Sequence, residues 1–181
     1  NTGTVTETGT ITTIEPPSLE IDCANIPTMV TPVSLDAPRG YHGLAFTTEG
    51  VLLGISNGML WGAPSPDKAD IVVPSVGSAE QMDWLHDGDL AYLGSSGMQR
   101  ISSKDGSRSS IASGFYGYGM ITGPDGMVYV ADYSKIIKVD PDSGAQETFV
   151  SGFPGSVSPK VVNFSPDYSK MYIGTISGSG V

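Results

Sequence analysis

The stretch Gly114-Phe115-Tyr116-Gly117-Tyr118-Gly119 sets three aromatic rings among glycines. Rings bring large contact area at low entropic cost and glycine lets a backbone approach, so Phe115, Tyr116 and Tyr118 form a candidate binding surface. The other reading is a strand entry packed on its neighbour. A second group, Asp83, His86, Asp87 and Asp89, crowds one turn. It reads as a solvated turn or as a surface collector of a cation, without the acidic loop and closing Glu of an EF-hand. Cys23 is the single cysteine and forms no internal disulfide; it is either a small buried apolar residue or the partner of a cysteine on another chain. No Ser/His/Asp triad, phosphate-gripping glycine loop or zinc-ligand spacing is recognisable.

The elements that position these residues repeat. Turn-centred units fall at Gly50, Gly88, Gly126 and Tyr168-Ser169, with spacings of 38, 38 and 42 residues. Each unit has an apolar or aromatic strand before the turn and a strand ending in a small residue after it. A supersecondary unit of about 40 residues that stacks on its own copies is the signature of a propeller or solenoid. The sequence therefore predicts an all-β fold, a β-propeller with four-stranded blades near 38–76, 77–113 and 114–155 and a half blade over 156–181. Asn57-Gly58, between two apolar runs, predicts a type I′ hairpin, because both central residues of that turn take positive φ.

Composition agrees. The 181 residues include 24 Gly and 13 Pro with only 15% charged side chains, which supplies turns and leaves little material for surface helices. A net charge of −10 removes the basic footprint that nucleic acid or an anionic membrane needs, so neither is an expected partner. No apolar run is long enough to span a bilayer as a helix. Residues 1–17, rich in Thr and closed by Pro16-Pro17, read as a flexible stalk ahead of the propeller domain 18–181. Such a stalk and the absent initiator Met point to a secreted, periplasmic or cell-surface protein, with a lipid anchor on an upstream N-terminus as one arrangement.

A propeller ring needs at least four blades, each burying its faces against its neighbours. Three and a half blades leave apolar strands such as Met171–Ile176 in need of cover, so the expected partner is a complementary polypeptide that completes the ring.

Three strings carry a family resemblance: Gly43-Leu44-Ala45-Phe46-Thr47; Pro124-Asp125-Gly126-Met127-Val128-Tyr129-Val130-Ala131-Asp132; and Ser165-Pro166-Asp167 before Met171-Tyr172-Ile173. They resemble the blade entry of SMP-30/gluconolactonase/LRE-like and NHL-type six-bladed propellers, over about residues 38–176. In lactonase-like members a divalent cation, often calcium, sits on the axis, with a ligand four residues before the residue that closes each innermost strand.

Carried over from Phe46, Trp84, Thr122 and Phe164, that rule implies channel-facing positions at His42, Glu80, Tyr118 and Lys160. Glu80 is the one hard-oxygen ligand in the set and the metal candidate; Lys160 repels a cation and favours an anionic group. Asn163 matches the family Asn in type but lies three positions from the slot. Two functions follow. One is an exported binding or scaffold module for a small molecule or protein, with His42, Glu80, Tyr118, Lys160, Phe115 and Tyr116 as ligand-binding residues. The other is a lactonase- or esterase-type hydrolase with calcium or another divalent cation at Glu80. A wet channel in which Glu80 and Lys160 neutralise each other is the structural alternative to both.

Overall fold

Alternation on both faces of each strand dictates what the chain builds. Along Val128–Asp132 every residue is buried, which requires a sheet covered on both sides. The computed structural model describes residues 42–65, 68–95, 97–153 and 157–177, all within the compact unit 33–181. The stalk at 1–17, Cys23 and the terminus from Gly178 lie outside the described residues.

Fourteen strands form four antiparallel sheets, with no helix among the described residues. The first sheet holds β1 (His42–Phe46), β2 (Leu52–Ser56), β3 (Met59–Ser65) and β4 (Lys68–Val73). The second holds β5 (Ala79–Trp84), β6 (Leu90–Gly94), β7 (Gly97–Ile101) and β8 (Arg108–Ala112). The third holds β9 (Gly117–Thr122), β10 (Val128–Asp132), β11 (Lys135–Val139) and β12 (Gln146–Ser151). A hairpin of β13 (Val157–Phe164) and β14 (Met171–Ser177) makes the fourth. Each sheet is a simple meander, and the first strand of each lies against the first strand of the next. This is the blade architecture of a β-propeller, as the period implied.

The repeat is visible in backbone detail. Phe46, Trp84, Thr122 and Phe164 each make the first pair of their hairpin, with Leu52, Leu90, Val128 and Met171. The following turns are closed by the same hydrogen bond: Gly50 N to Thr47 O, Gly88 N to Leu85 O, Gly126 N to Gly123 O and Tyr168 N to Ser165 O. The donor has positive φ in all four, 81°, 86°, 80° and 55°. Glycine meets that demand without strain in three turns, while Tyr168 meets it at a cost. Asn57 and Gly58 have φ of 51° and 72°, the expected type I′ pair.

Three cores separate the sheets. Leu90 and Tyr92 of β6 pack toward the first sheet with Leu53, Ile55 and Met82, whereas the intervening Ala91 and Leu93 pack toward the third with Met98 and Met120. Likewise Val128 and Val130 join the second core, and Tyr129 and Ala131 join the third with Val162. Each fully buried Leu or Val contributes about 1.5–3 kcal/mol relative to exposure. The outermost strands β8 and β12 are largely exposed, with polar side chains along them.

Polar stitches add to these cores. Trp84 Nε1 donates to Phe46 O at 2.7 Å, the backbone N–H of Thr122 donates to Asp83 Oδ2 at 2.7 Å, and His86 Nε2 donates to Gly123 O at 2.9 Å. The crowded turn is exposed at His86, Asp87 and Gly88, as a solvated turn is, and its carboxylates face a guanidinium. Arg100 lies 2.9 Å from Asp87, 3.7 Å from Asp89 and 3.2 Å from Asp142 of the third sheet, so a guanidinium bridges two blades there. Asp83 belongs instead to the inner strand.

Candidate functional site

The inner strands β1, β5, β9 and β13 share an irregularity near their entry ends. Ala79 pairs with Gly94 and Gln81 with Leu93, leaving Glu80 as an extra residue. The same happens to Tyr118 between Gly117 and Gly119, and to Lys160 between Pro159 and Val161. Three of the positions singled out from sequence are thus β-bulges at one register, and bulges re-aim side chains at the rims of closed folds. In the first sheet the bulge falls one residue later, at Gly43, with His42 paired to Ile55. Counting back from Phe46 therefore places His42 one step away from the position that the other three share.

The structure brings two of the four together. Lys160 Nζ sits over the ring of Tyr118, 2.7 Å from its centroid. Tyr118 meets Tyr116 edge to face at 5.2 Å and Tyr133 at 5.7 Å, and Tyr116 meets Tyr133 at 5.9 Å. Tyr133 occupies the β10–β11 turn, which the pairing of Asp132 with Gly117 carries to the entry end of β9. Its φ is 22°, outside the strand region, and its side chain is 55% exposed. Asp132 beneath is buried, accepts the Tyr116 N–H at 3.2 Å and lies 3.9 Å from Lys135, so it anchors the loop. The charge of the neighbouring Tyr118 phenol, with a little burial and a hydrogen bond to it, raises the Tyr133 pKa above its usual value. The cluster thus offers phenol hydroxyls, ring faces and one amine-bearing side chain.

Phe115 departs from the expected binding surface. It is buried in the second core beside Met120, because the glycines that flank the loop let it turn inward while Tyr116 turns out. Tyr133 was missed by sequence reasoning, since only the hairpin register brings it to Tyr118. Among the described residues no ion pair joins Glu80 to Lys160, and no ring contact or ion pair joins His42 to the cluster.

The family resemblance implies an axial calcium beside these bulge positions. Such an ion asks for six to eight oxygen ligands, and these positions supply one carboxylate, a phenol and an ammonium. Among the described residues no three His, Cys, Asp or Glu side chains gather as a metal site. The residues described do not fit the ion.

No family model matches the chain, and no curated protein matches it in sequence. Solved structures do. The chain is similar to virginiamycin B lyase from Staphylococcus aureus, at 16% identity and a TM-score of 0.61 over 81% of this chain and 55% of that one. It is similar to an auxiliary nutrient binding protein from Bacteroides thetaiotaomicron, at 12% identity and a TM-score of 0.62 over 75% and 36%. It is also similar to a structural-genomics protein with a provisional gluconolactonase assignment, at 16% identity and a TM-score of 0.54 over 68% and 53%. The chain thus spans between about a third and somewhat over half of each. At these identities the likeness is one of fold: the protein is a β-propeller, with three four-stranded blades and a further hairpin described.

Proposed function

We propose that this protein is an exported propeller that binds a small ring-bearing ligand carrying an anionic group, at the entry end of the inner strands. The observation that carries the reading is the packing of Tyr116, Tyr118 and Tyr133 around one another with Lys160 over Tyr118. Ring faces accept an apolar or sugar-like ligand face, and an ammonium now held by a ring is released to a carboxylate that outcompetes the cation–π contact. The Thr-rich N-terminal stretch supports export.

A ring completed by a complementary polypeptide is part of the same reading. Phe46 of β1 is 64% exposed and Tyr172 of β14 is 59% exposed, and both lie on the outward faces of the terminal sheets. These are the faces on which adjoining blades would pack.

A hydrolase is the second reading, favoured by Glu80 holding the same bulged position as Tyr118 and Lys160. Thermal-shift screening against aromatic and sugar carboxylates and their neutral counterparts separates the two. The binding reading expects stabilisation by the carboxylates that Lys160→Gln removes. Cleavage of a lactone or ester that Glu80→Gln abolishes would replace it with the hydrolase.

A further inference from the structure

At the exit end of the inner strands, opposite the tyrosine cluster, residues of three successive sheets line an open cleft of about 450 Å³. That size lies within the roughly 300–1,000 Å³ typical of small-ligand sites. Its lining is repeat-related, since Asp83-Trp84, Ile121-Thr122 and Asn163-Phe164 hold matching places on β5, β9 and β13.

The matching places make different bonds. Between the second and third sheets Asp83 reaches across, taking the N–H of Thr122 with one oxygen and that of Trp84 with the other. At the next interface Ile121 stands where Asp83 stood. A sec-butyl side chain accepts nothing, so Phe164 has no counterpart of the bond that Thr122 N–H makes to the preceding sheet; its N–H is capped by Asn163 Oδ1 at 2.9 Å, as that of Trp84 is by Asp83. The stitch between blades is therefore interrupted at the cleft. Thr122 Oγ1 is buried beside the Asp83 carboxylate, near enough to favour its charge yet without a well-formed hydrogen bond, and a buried hydroxyl in that state calls for a water or a ligand. Asn163 is exposed at the mouth of the cleft, where its side chain is open to solvent or a ligand.

A second departure from the repeat falls at the same place. Where the other three turns put glycine at positive φ, the fourth puts Tyr168 with φ of 55°, and its ring lines the cleft beside Phe164, 6.0 Å away. A bulky residue kept in the left-handed region is a strain that the turn itself does not require.

We propose that this cleft is a binding site for a neutral, hydroxyl-rich ring ligand, a sugar unit that stacks on Trp84, Phe164 and Tyr168 and exchanges hydrogen bonds with Thr122 Oγ1 and Asn163. No Lys or Arg lines it and a carboxylate does, so an anionic ligand is disfavoured. Burial raises the pKa of that carboxylate, Asp83, against the bonds from Thr122 and Trp84. The unit is either a free monosaccharide or the end of an oligosaccharide.

Two variants separate binding from folding. Thr122→Val removes a hydroxyl that lacks a well-formed bond, and Tyr168→Gly relieves the positive-φ strain in a turn one residue longer than the other three, so both keep or raise the midpoint of thermal unfolding. Calorimetric titration of the protein with a panel of neutral monosaccharides and their oligomers then shows saturable binding, weakened roughly 3–10-fold in Thr122→Val, as for the loss of one hydrogen bond, and by at least as much in Tyr168→Gly. Binding by monosaccharides identifies the free sugar as the source, and binding by oligomers alone identifies a chain end; either supports the site. Absence of binding across the panel, affinities unchanged in both variants, or a lowered unfolding midpoint in Thr122→Val would overturn it.

Discussion

Trp84 Nε1 and Phe46 O, two atoms 38 residues apart in the chain and 2.7 Å apart in space, join residues that hold the same place on successive inner strands. The bond ties the first sheet to the second at the exit end. Trp84→Phe keeps a ring there and removes the donor, leaving the Phe46 carbonyl without it. A loss of about 1 kcal/mol is expected in a urea titration, the usual net worth of such a bond.

Asp83 supplies the next stitch, and its pKa is raised from 3.8, chiefly by burial. A carboxyl whose folded pKa exceeds its unfolded one favours the fold when protonated. Its contribution is fully present below pH 3.8 and is lost as pH rises through the folded value. Unfolding midpoints of wild type and Asp83→Asn, compared from pH 3 to 7, should show wild type losing ground with rising pH and then running parallel to the variant.

Tyr129 titrates at the alkaline end. Burial first, and then its hydrogen bond to Asp125 Oδ2 at 2.9 Å, push its pKa up to about 12. The phenol therefore stabilises the fold in full below pH 10, and that contribution declines as pH rises from 10 towards about 12. Tyr129→Phe should flatten this part of the stability curve while leaving the ring in its contacts with Phe149 and Phe164.

The blade repeat was legible because turn chemistry is local: Gly50, Gly88 and Gly126 mark the period, and Asn57-Gly58 marks its hairpin. The shared entry-end register of Glu80, Tyr118 and Lys160 came from the rule that the family resemblance implied, counted back from the strand ends. The count slipped at His42, where a bulge moves by one residue without a signal in composition. Tyr133 and Asp83 were illegible as partners of Tyr118 and Thr122, since one depends on hairpin register and the other on how adjacent blades face. Phe115 misled because an aromatic beside glycine looks the same whether it turns in or out.

Gly119 controls how closely two inner strands approach beside the candidate site. A Cβ added there would lie 2.5 Å from Lys160 O and 3.1 Å from Val161 Cα, both backbone atoms. Gly119→Ala should force β9 from β13, cost about 1–3 kcal/mol as overpacking does, and loosen Lys160 from Tyr118. Chemical denaturation reads the first effect; the ring-current shift of the Lys160 side chain in an NMR spectrum reads the second.

The central claim is that Tyr118 and Lys160 bind a ring-bearing anion. Calorimetric titration with aromatic and sugar carboxylates, run with a chelator of divalent cations present, tests it for wild type, Tyr118→Ala and Lys160→Gln. The account predicts saturable binding that survives the chelator, weakens about tenfold in Lys160→Gln as for the loss of a charge-assisted bond, and is lost in Tyr118→Ala. Binding of equal strength in all three proteins, or none in wild type, would contradict it.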